Sequence, residues 1–277
     1  MSVNKPIYKL KKWVSDNIQN LDWDYLCANP YAISLIEENP DNINWYYLSQ
    51  NPNAIDILDR NRKYINYRGL SFNINISHLK GINIKKLDWT ALSLNEGAID
   101  ILEKNVKKIN WKYLSENING IPLLLKNYKN IDWESLCYNA SAIELLRLNP
   151  TKINWDILSE NAGAHDFLME NKEKINFDNL SRNENKKSFE LFIKYEENID
   201  WTIISENSAA IDHLEKNQDK IDWAWLSLNP AIFELDYEKM REKNQDFYED
   251  LIKEVMKPSR ILKKMYDDDD YLEELFG

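Results

Sequence analysis

Residues 42–61 read NINWYYLSQNPNAIDILDRN, with five asparagines and two aspartates among twenty positions. Asparagine is a weak helix former and is depleted in strands, so its regular return among Ile, Leu and Trp calls for a local reason. The stretch is one period of a repeat. Aromatic anchors stand at Trp23, Trp45, Tyr67, Trp89, Trp111, Trp133, Trp155, Phe177, Trp201 and Trp223. They are 22 residues apart throughout, except that 24 separate Phe177 from Trp201. Ten units therefore fill residues 21–236, and a period of this length marks a repeat architecture.

Each column of the unit has a physical reading. The residue before every anchor is Asn or Asp (Asp22, Asn44, Asn66, Asp88 and so on), the side chains that best cap a helix start. Three residues after the anchor comes an aliphatic such as Leu26, Leu48 or Ile204, on the same face of a helix of about two turns. Six after the anchor, Asn recurs in all ten units, from Asn29 and Asn51 to Asn229, and Pro follows it at Pro30, Pro52 and Pro230. Asn then Pro opens a second helix, of about nine residues. A third Asn (Asn39, Asn61, Asn105, Asn127) ends it, and the left-handed conformation that Asn tolerates is the expected closing geometry. An aliphatic such as Ile43 or Ile65 then plugs the turn into the core.

The leucine-rich repeat is the rival of similar period. The spacing of three between anchor and aliphatic, and Asn-Pro ahead of the second segment, favour helix–turn–helix. The expected fold is all-α: an α-solenoid of about ten 22-residue helix–turn–helix repeats with capping helices at both ends. At a helix spacing of 8–10 Å the array would be a curved rod about 90 Å long. Residues 1–20, with Ile7, Leu10, Trp13 and Val14, read as the N-terminal cap, and 237–266 as a C-terminal helical cap. Residues 267–277 form an acidic tail, a possible second contact for a partner. Residues 67–88 carry Gly69 and Gly81 and lose the Ala-Ile and Leu positions, so a loosened or bent unit is expected there. The two-residue insertion falls near 184–190.

Chemistry is hard to find. His78, His165 and His213 lie in different units without an acidic or Cys partner in register, which supports neither a metal site nor a triad. Cys27 and Cys137 share a column otherwise filled by Ser, five units apart, too far to pair. With 6 glycines there is little room for a phosphate-cradling loop. The chain is read as non-enzymatic, with no cofactor and no metal. A net charge of −11 weighs against nucleic acid and an anionic membrane as partners, although Lys86, Lys108, Lys152, Lys174 and Lys220 share one column and would be the stripe for nucleic acid. No apolar run reaches the length of a membrane span, and no secretory signal follows the N-terminus, so a cytoplasmic protein is expected.

What remains is surface. The column two after the anchor includes Tyr25, Tyr47, Tyr113 and Trp225, and the column five after it includes Phe72, Leu94, Tyr138 and Leu228. The repeat does not require these side chains, and aromatic residues on a solenoid's concave face are typical interface anchors. Packing between units is the competing role for the same residues. The unit INWYYLSQNPNAIDIL, with NPAIFELDY leading into a helix and PSRI near the end, resembles the short Asn-Pro repeats of large nucleocytoplasmic DNA viruses. That resemblance implies a viral protein in the infected cell's cytoplasm or in the virion, and brings no catalytic residues. The expected function is a scaffold or adaptor binding a host or viral protein; the alternatives are a structural virion component and a nucleic-acid-associated scaffold.

Overall fold

A computed structural model describes residues 6–195 and 199–243. Its repeat unit follows the capping chemistry. In the second unit Asn44 Oδ1 accepts from the backbone N–H groups of Tyr46 and Tyr47 and opens the helix Trp45–Gln50. Asp22, Asp88, Asn154, Asp200 and Asp222 do the same for their units. Leu48 is buried one turn on, as are Leu26, Leu70, Leu92, Leu114, Leu136, Leu158, Leu180, Ile204 and Leu226. Asn51 then accepts from the N–H of Asn53 and starts a 3₁₀ turn, Pro52–Ala54, that runs on into the helix Ile55–Arg60. The array is the all-α repeat solenoid that the periodicity predicts.

The third Asn works differently from expectation. Among the described residues no side-chain-bearing residue has positive φ. Asn61 sits at φ −125°, ψ 40°, and its Nδ2 donates 2.9 Å back to the carbonyl of Ile57. Asn39, Asn105, Asn127, Asn149, Asn171 and Asn217 repeat the bond to the carbonyl four residues earlier. The amide therefore satisfies an orphan helix carbonyl directly, and no left-handed residue is needed.

Two buried polar columns join the units. Ser49 Oγ donates to the Trp45 carbonyl and accepts from the N–H of Asn66, the cap of the next unit. Cys27 and Cys137 hold the same place, with Asn44 N and Asn154 N each 3.4 Å from the sulfur. The second column is the Asn six after the anchor. Asn51 Nδ2 donates to the carbonyls of Cys27 and Asn29 in the preceding unit, at 3.0 and 2.7 Å. Asn73, Asn95, Asn117 and Asn139 repeat both bonds, one unit on each time. All ten of these asparagines are buried, so each rung is shielded from competing water.

The ladder has no end. Asn29, in the first unit, donates to the carbonyls of Ser227 and Asn229 in the last, both at 3.1 Å. Asp22 N donates to Ser227 Oγ, as Asn66 N does to Ser49 Oγ. The expected open rod is thus replaced by a ring: the larger of the chain's two compact units, Lys9–Glu234, closes on itself. A turn of about 36° per unit returns ten units to their start.

The N-terminal segment completes the joint. Lys12–Ser15, the 3₁₀ turn Ile18–Asn20, Leu21 and Asp22 match the second half of a unit, residue for residue, against 33–44. Asn17 Nδ2 donates to the Trp13 carbonyl, as Asn39 does to Leu35. Trp13, 9% exposed, packs edge-on to Trp223 with ring centroids 6.2 Å apart, in the column where His213 stacks on Trp201. The last unit has a first helix, Trp223–Leu226, and a 3₁₀ turn, Pro230–Ile232, and then leaves the pattern. The chain's start thus supplies the second helix that the last unit lacks. The strands Tyr8–Leu10 and Phe233–Leu235 pair beside it, with Lys11 N donating to Ile232 O.

First helices of successive units pack closely on one another, whereas second helices are spanned by long side chains: Arg60–Glu37, Lys126–Glu103, Arg147–Glu170 and Lys186–Asp212. The first helices therefore take the shorter, inner circumference. In residues 67–88 the second helix is reduced to the 3₁₀ turn Ile76–His78, yet the inner Asn73 rung is intact. The next unit comes so close that a Cβ on Gly97 would lie 1.7 Å from the Ile74 carbonyl oxygen. The insertion lengthens an outer helix, Lys186–Tyr195, and Asn207 still reaches Ser181 and Asn183. In the smaller compact unit, Asp236 N donates to Ile7 O and residues 237–243 are helical; the rest of the expected C-terminal cap and the acidic tail lie outside the described residues.

Candidate functional site

On a first helix the positions three and four after the anchor point into the layer between helices, where Leu and Ser are buried. At about 100° per residue, the positions two and five after the anchor then lie on the opposite side, toward the ring axis. This inner face carries the side chains that the sequence singled out. Tyr25 packs edge-on to Tyr47 at 5.4 Å and tilts against Trp225 at 5.9 Å. Ring closure makes that contact, since Tyr25 and Trp225 belong to the first and last units. The three aromatics form one arc across the joint, so packing between units and exposure on the inner face are both true of them. Trp225 remains 37% exposed, Phe72 38% and Tyr138 44%; Leu228, in the same unit as Trp225, and Leu94 and Tyr113 farther round the face are half-buried.

Beside Trp225 lies a pocket of about 430 Å³ lined by Arg182, Glu184, Thr202, Ile203, Glu206, Asn207 and Trp225. Three successive units contribute to it. Carboxylates recur on this face at Glu96, Glu116, Glu160 and Glu206. Each carboxyl is pushed above its ordinary value, and burial is the first cause in every case. For Glu206 the neighbouring Glu184 charge adds to the rise, and for Glu160 the Arg182 guanidinium opposes it. Glu96 and Glu206 are exposed by area and yet desolvated. Both hold together on a concave surface, which leaves a path to water while protein atoms crowd the group from several sides. Tyr47 and Tyr138 are raised as well, by burial and then by neighbouring groups: Tyr25 and Asp24 for the first, Glu160 and Glu116 for the second.

The lysine column has a different setting. Lys86, Lys108, Lys174 and Lys220 each lie over the anchor ring of their own unit: Tyr67, Trp89, Trp155 and Trp201, at 4.4–5.0 Å. These ammonium groups cover half-buried rings, a role in the repeat itself. The histidines stay apart: His165 Nδ1 is 2.9 Å from Ser188 Oγ, and His213 stacks on Trp201. Among the described residues no group of three or more His, Cys, Asp or Glu is placed to hold a metal, and no helix is long and apolar enough to cross a membrane.

Sequence reasoning missed the pocket acids and the cross-unit role of Asn. Glu116, Glu160 and Glu206 stand in the column five after the anchor, among Phe72, Leu94, Tyr138 and Leu228, and Glu96 and Glu184 in the column seven after it, so the signal lay in a column read only for its apolar members. An Asn that caps a turn looks the same in sequence whether or not its amide reaches another unit. Comparison with protein-family models, curated proteins and solved structures finds no match for this chain.

Proposed function

We propose that the chain is a non-catalytic, protein-binding ring that acts as an adaptor or scaffold and engages its partner on the inner face. The aromatic arc Trp225–Tyr25–Tyr47 carries this reading, because it gathers large rings from three units onto one concave surface. Rigid aromatic side chains on such a surface add contact area at little cost in conformational entropy. The resemblance to giant-virus repeat proteins suggests a host or viral protein as partner, met in the cytoplasm of an infected cell.

The test is affinity capture of the tagged protein from host and infected cells with identification by mass spectrometry. The control carries Tyr25→Ala, Tyr47→Ala, Tyr113→Ala and Trp225→Ala. Recovery of a defined protein that the control loses supports the adaptor reading. Recovery of capsid and core proteins alone, or equal recovery by the control, overturns it, the former in favour of a virion component.

A further inference from the structure

We propose that the pocket beside Trp225 seats a cationic side chain, lysine or arginine, from a basic polypeptide segment lying along the inner face. This rests on the protein-binding reading above and adds the chemistry of the partner. The observation is a combination: an indole wall, two carboxylates and an apolar floor around one cavity. Trp225 offers a partly exposed ring face, Glu184 and Glu206 the charge, and Ile203 the apolar surface for the methylene stem of a long side chain. An ammonium or guanidinium group is attracted by the indole quadrupole and by carboxylates together, and more strongly where water is partly excluded.

The setting favours a cation over an anion. Glu96, Glu116 and Glu160 continue the acidic character round the face, against Arg182 on the pocket wall. Arg182 already faces Glu160, with 3.7 Å between nitrogen and oxygen, so it is the built-in competitor for the acids. The volume of about 430 Å³ suits one long side chain with part of its backbone. The arc formed by Trp225, Tyr25 and Tyr47 leads away from the pocket and gives the flanking residues of the segment a surface to lie on. The lysines that stack on the anchor rings do not belong to this face, so they neither occupy the pocket nor neutralise it.

The probe is a fluorescein-labelled Gly-Ser-spaced peptide bearing three lysines, with matched peptides bearing arginine, glutamine or glutamate. Fluorescence anisotropy with the full chain reads the affinity. The lysine or arginine peptide should bind, with an affinity that falls as salt is raised, and the glutamine and glutamate peptides should not. The double variant E184Q/E206Q keeps the pocket's shape and should weaken binding about tenfold, and Trp225→Ala should do the same. Arg182→Gln should strengthen binding severalfold, a gain that a misfolded variant cannot produce. Equal binding of the glutamine peptide, or no change in either E184Q/E206Q or Arg182→Gln, overturns the proposal. If the aromatic-arc control still loses its captured protein in that case, the protein-binding reading stands and only the cationic chemistry falls.

Discussion

Asn29 and Asn229 are 200 positions apart in the chain and hydrogen-bonded, the Asn29 amide nitrogen donating to the Asn229 carbonyl at 3.1 Å. The bond copies the one that joins Asn117 to Asn95, neighbours in the array. The joint between the ends is therefore chemically one more inter-unit contact, and this equivalence can be measured.

Asn117→Ala removes two donated bonds and one accepted from Asn119 N–H, and leaves the Ser93 and Asn95 carbonyls buried without that partner. The cost should be about 3 kcal/mol, read from the urea midpoint. Asn29→Ala should cost about the same, because the ring loses an equal rung. In an open array Asn29 would keep only its cap bond from the Tyr31 N–H and the change would cost about 1 kcal/mol, so an effect that small at Asn29 beside the larger one at Asn117 refutes closure.

Trp13→Ala strips the cover from Trp223 and should cost about 3–4 kcal/mol, as for other large buried aromatics. Loss of the same side chain from a mere terminal extension would leave the thermal midpoint unmoved. Differential scanning calorimetry distinguishes the two.

Cys27 and Cys137 lie five units apart in a ring of ten, on opposite sides. Burial pushes both thiols above their ordinary value. They should react with an aromatic disulfide reagent far more slowly in the native protein than after denaturation. Replacing either with Ser should change stability by less than about 1 kcal/mol, because Ser in the other units accepts from the next cap N–H as both sulfurs do and donates to its anchor carbonyl as Cys137 does.

The inner-face carboxyls give a pH dependence of definite sign. Glu96, Glu116, Glu160 and Glu206 are raised from 4.5 in the folded protein, so the fold holds their protons more tightly than the unfolded chain does. Stability should then decline as pH rises from 4.5 through the raised values; His213, lowered from 6.5 by burial, contributes with the opposite sign, so His213→Gln is the background in which the melting temperature should be higher at about pH 5.5 than at about pH 7.5. Changing all four to Gln should flatten this slope. Glu170 and Asp212 are lowered by Arg147 and Lys186, so their contribution has the opposite sign and is lost only at more acidic pH, as it falls through their lowered values. In the His213→Gln background, a melting temperature that does not fall between about pH 5.5 and about pH 7.5, or a slope that the four Gln changes leave intact, would contradict the inner-face account.

Much of the fold was legible because it rests on short-range chemistry. Asp or Asn before each anchor, Leu three after it and Asn before the second helix act within one turn of backbone, and their columns repeat whatever the global shape. The closure was missed: residues 1–20 read as a cap and the array as an open rod, although Trp13, Asn17 and Leu21 fall in repeat columns and the unit after Trp223 lacks its second half. The site was legible as a set of aromatic columns, including Tyr25, Tyr47 and Trp225, but its assembly was not.

The sequence by itself determined the period, the helix starts with their caps and the buried Leu and Ser columns, because these follow from local backbone hydrogen bonding and side-chain periodicity. The tertiary structure decided that the array is a ring, since closure depends on the small rotation between units summed over all ten. It also decided that Tyr25 meets Trp225 and that Glu184, Glu206 and Trp225 share one pocket, because only closure and curvature bring side chains from separate units onto one concave face.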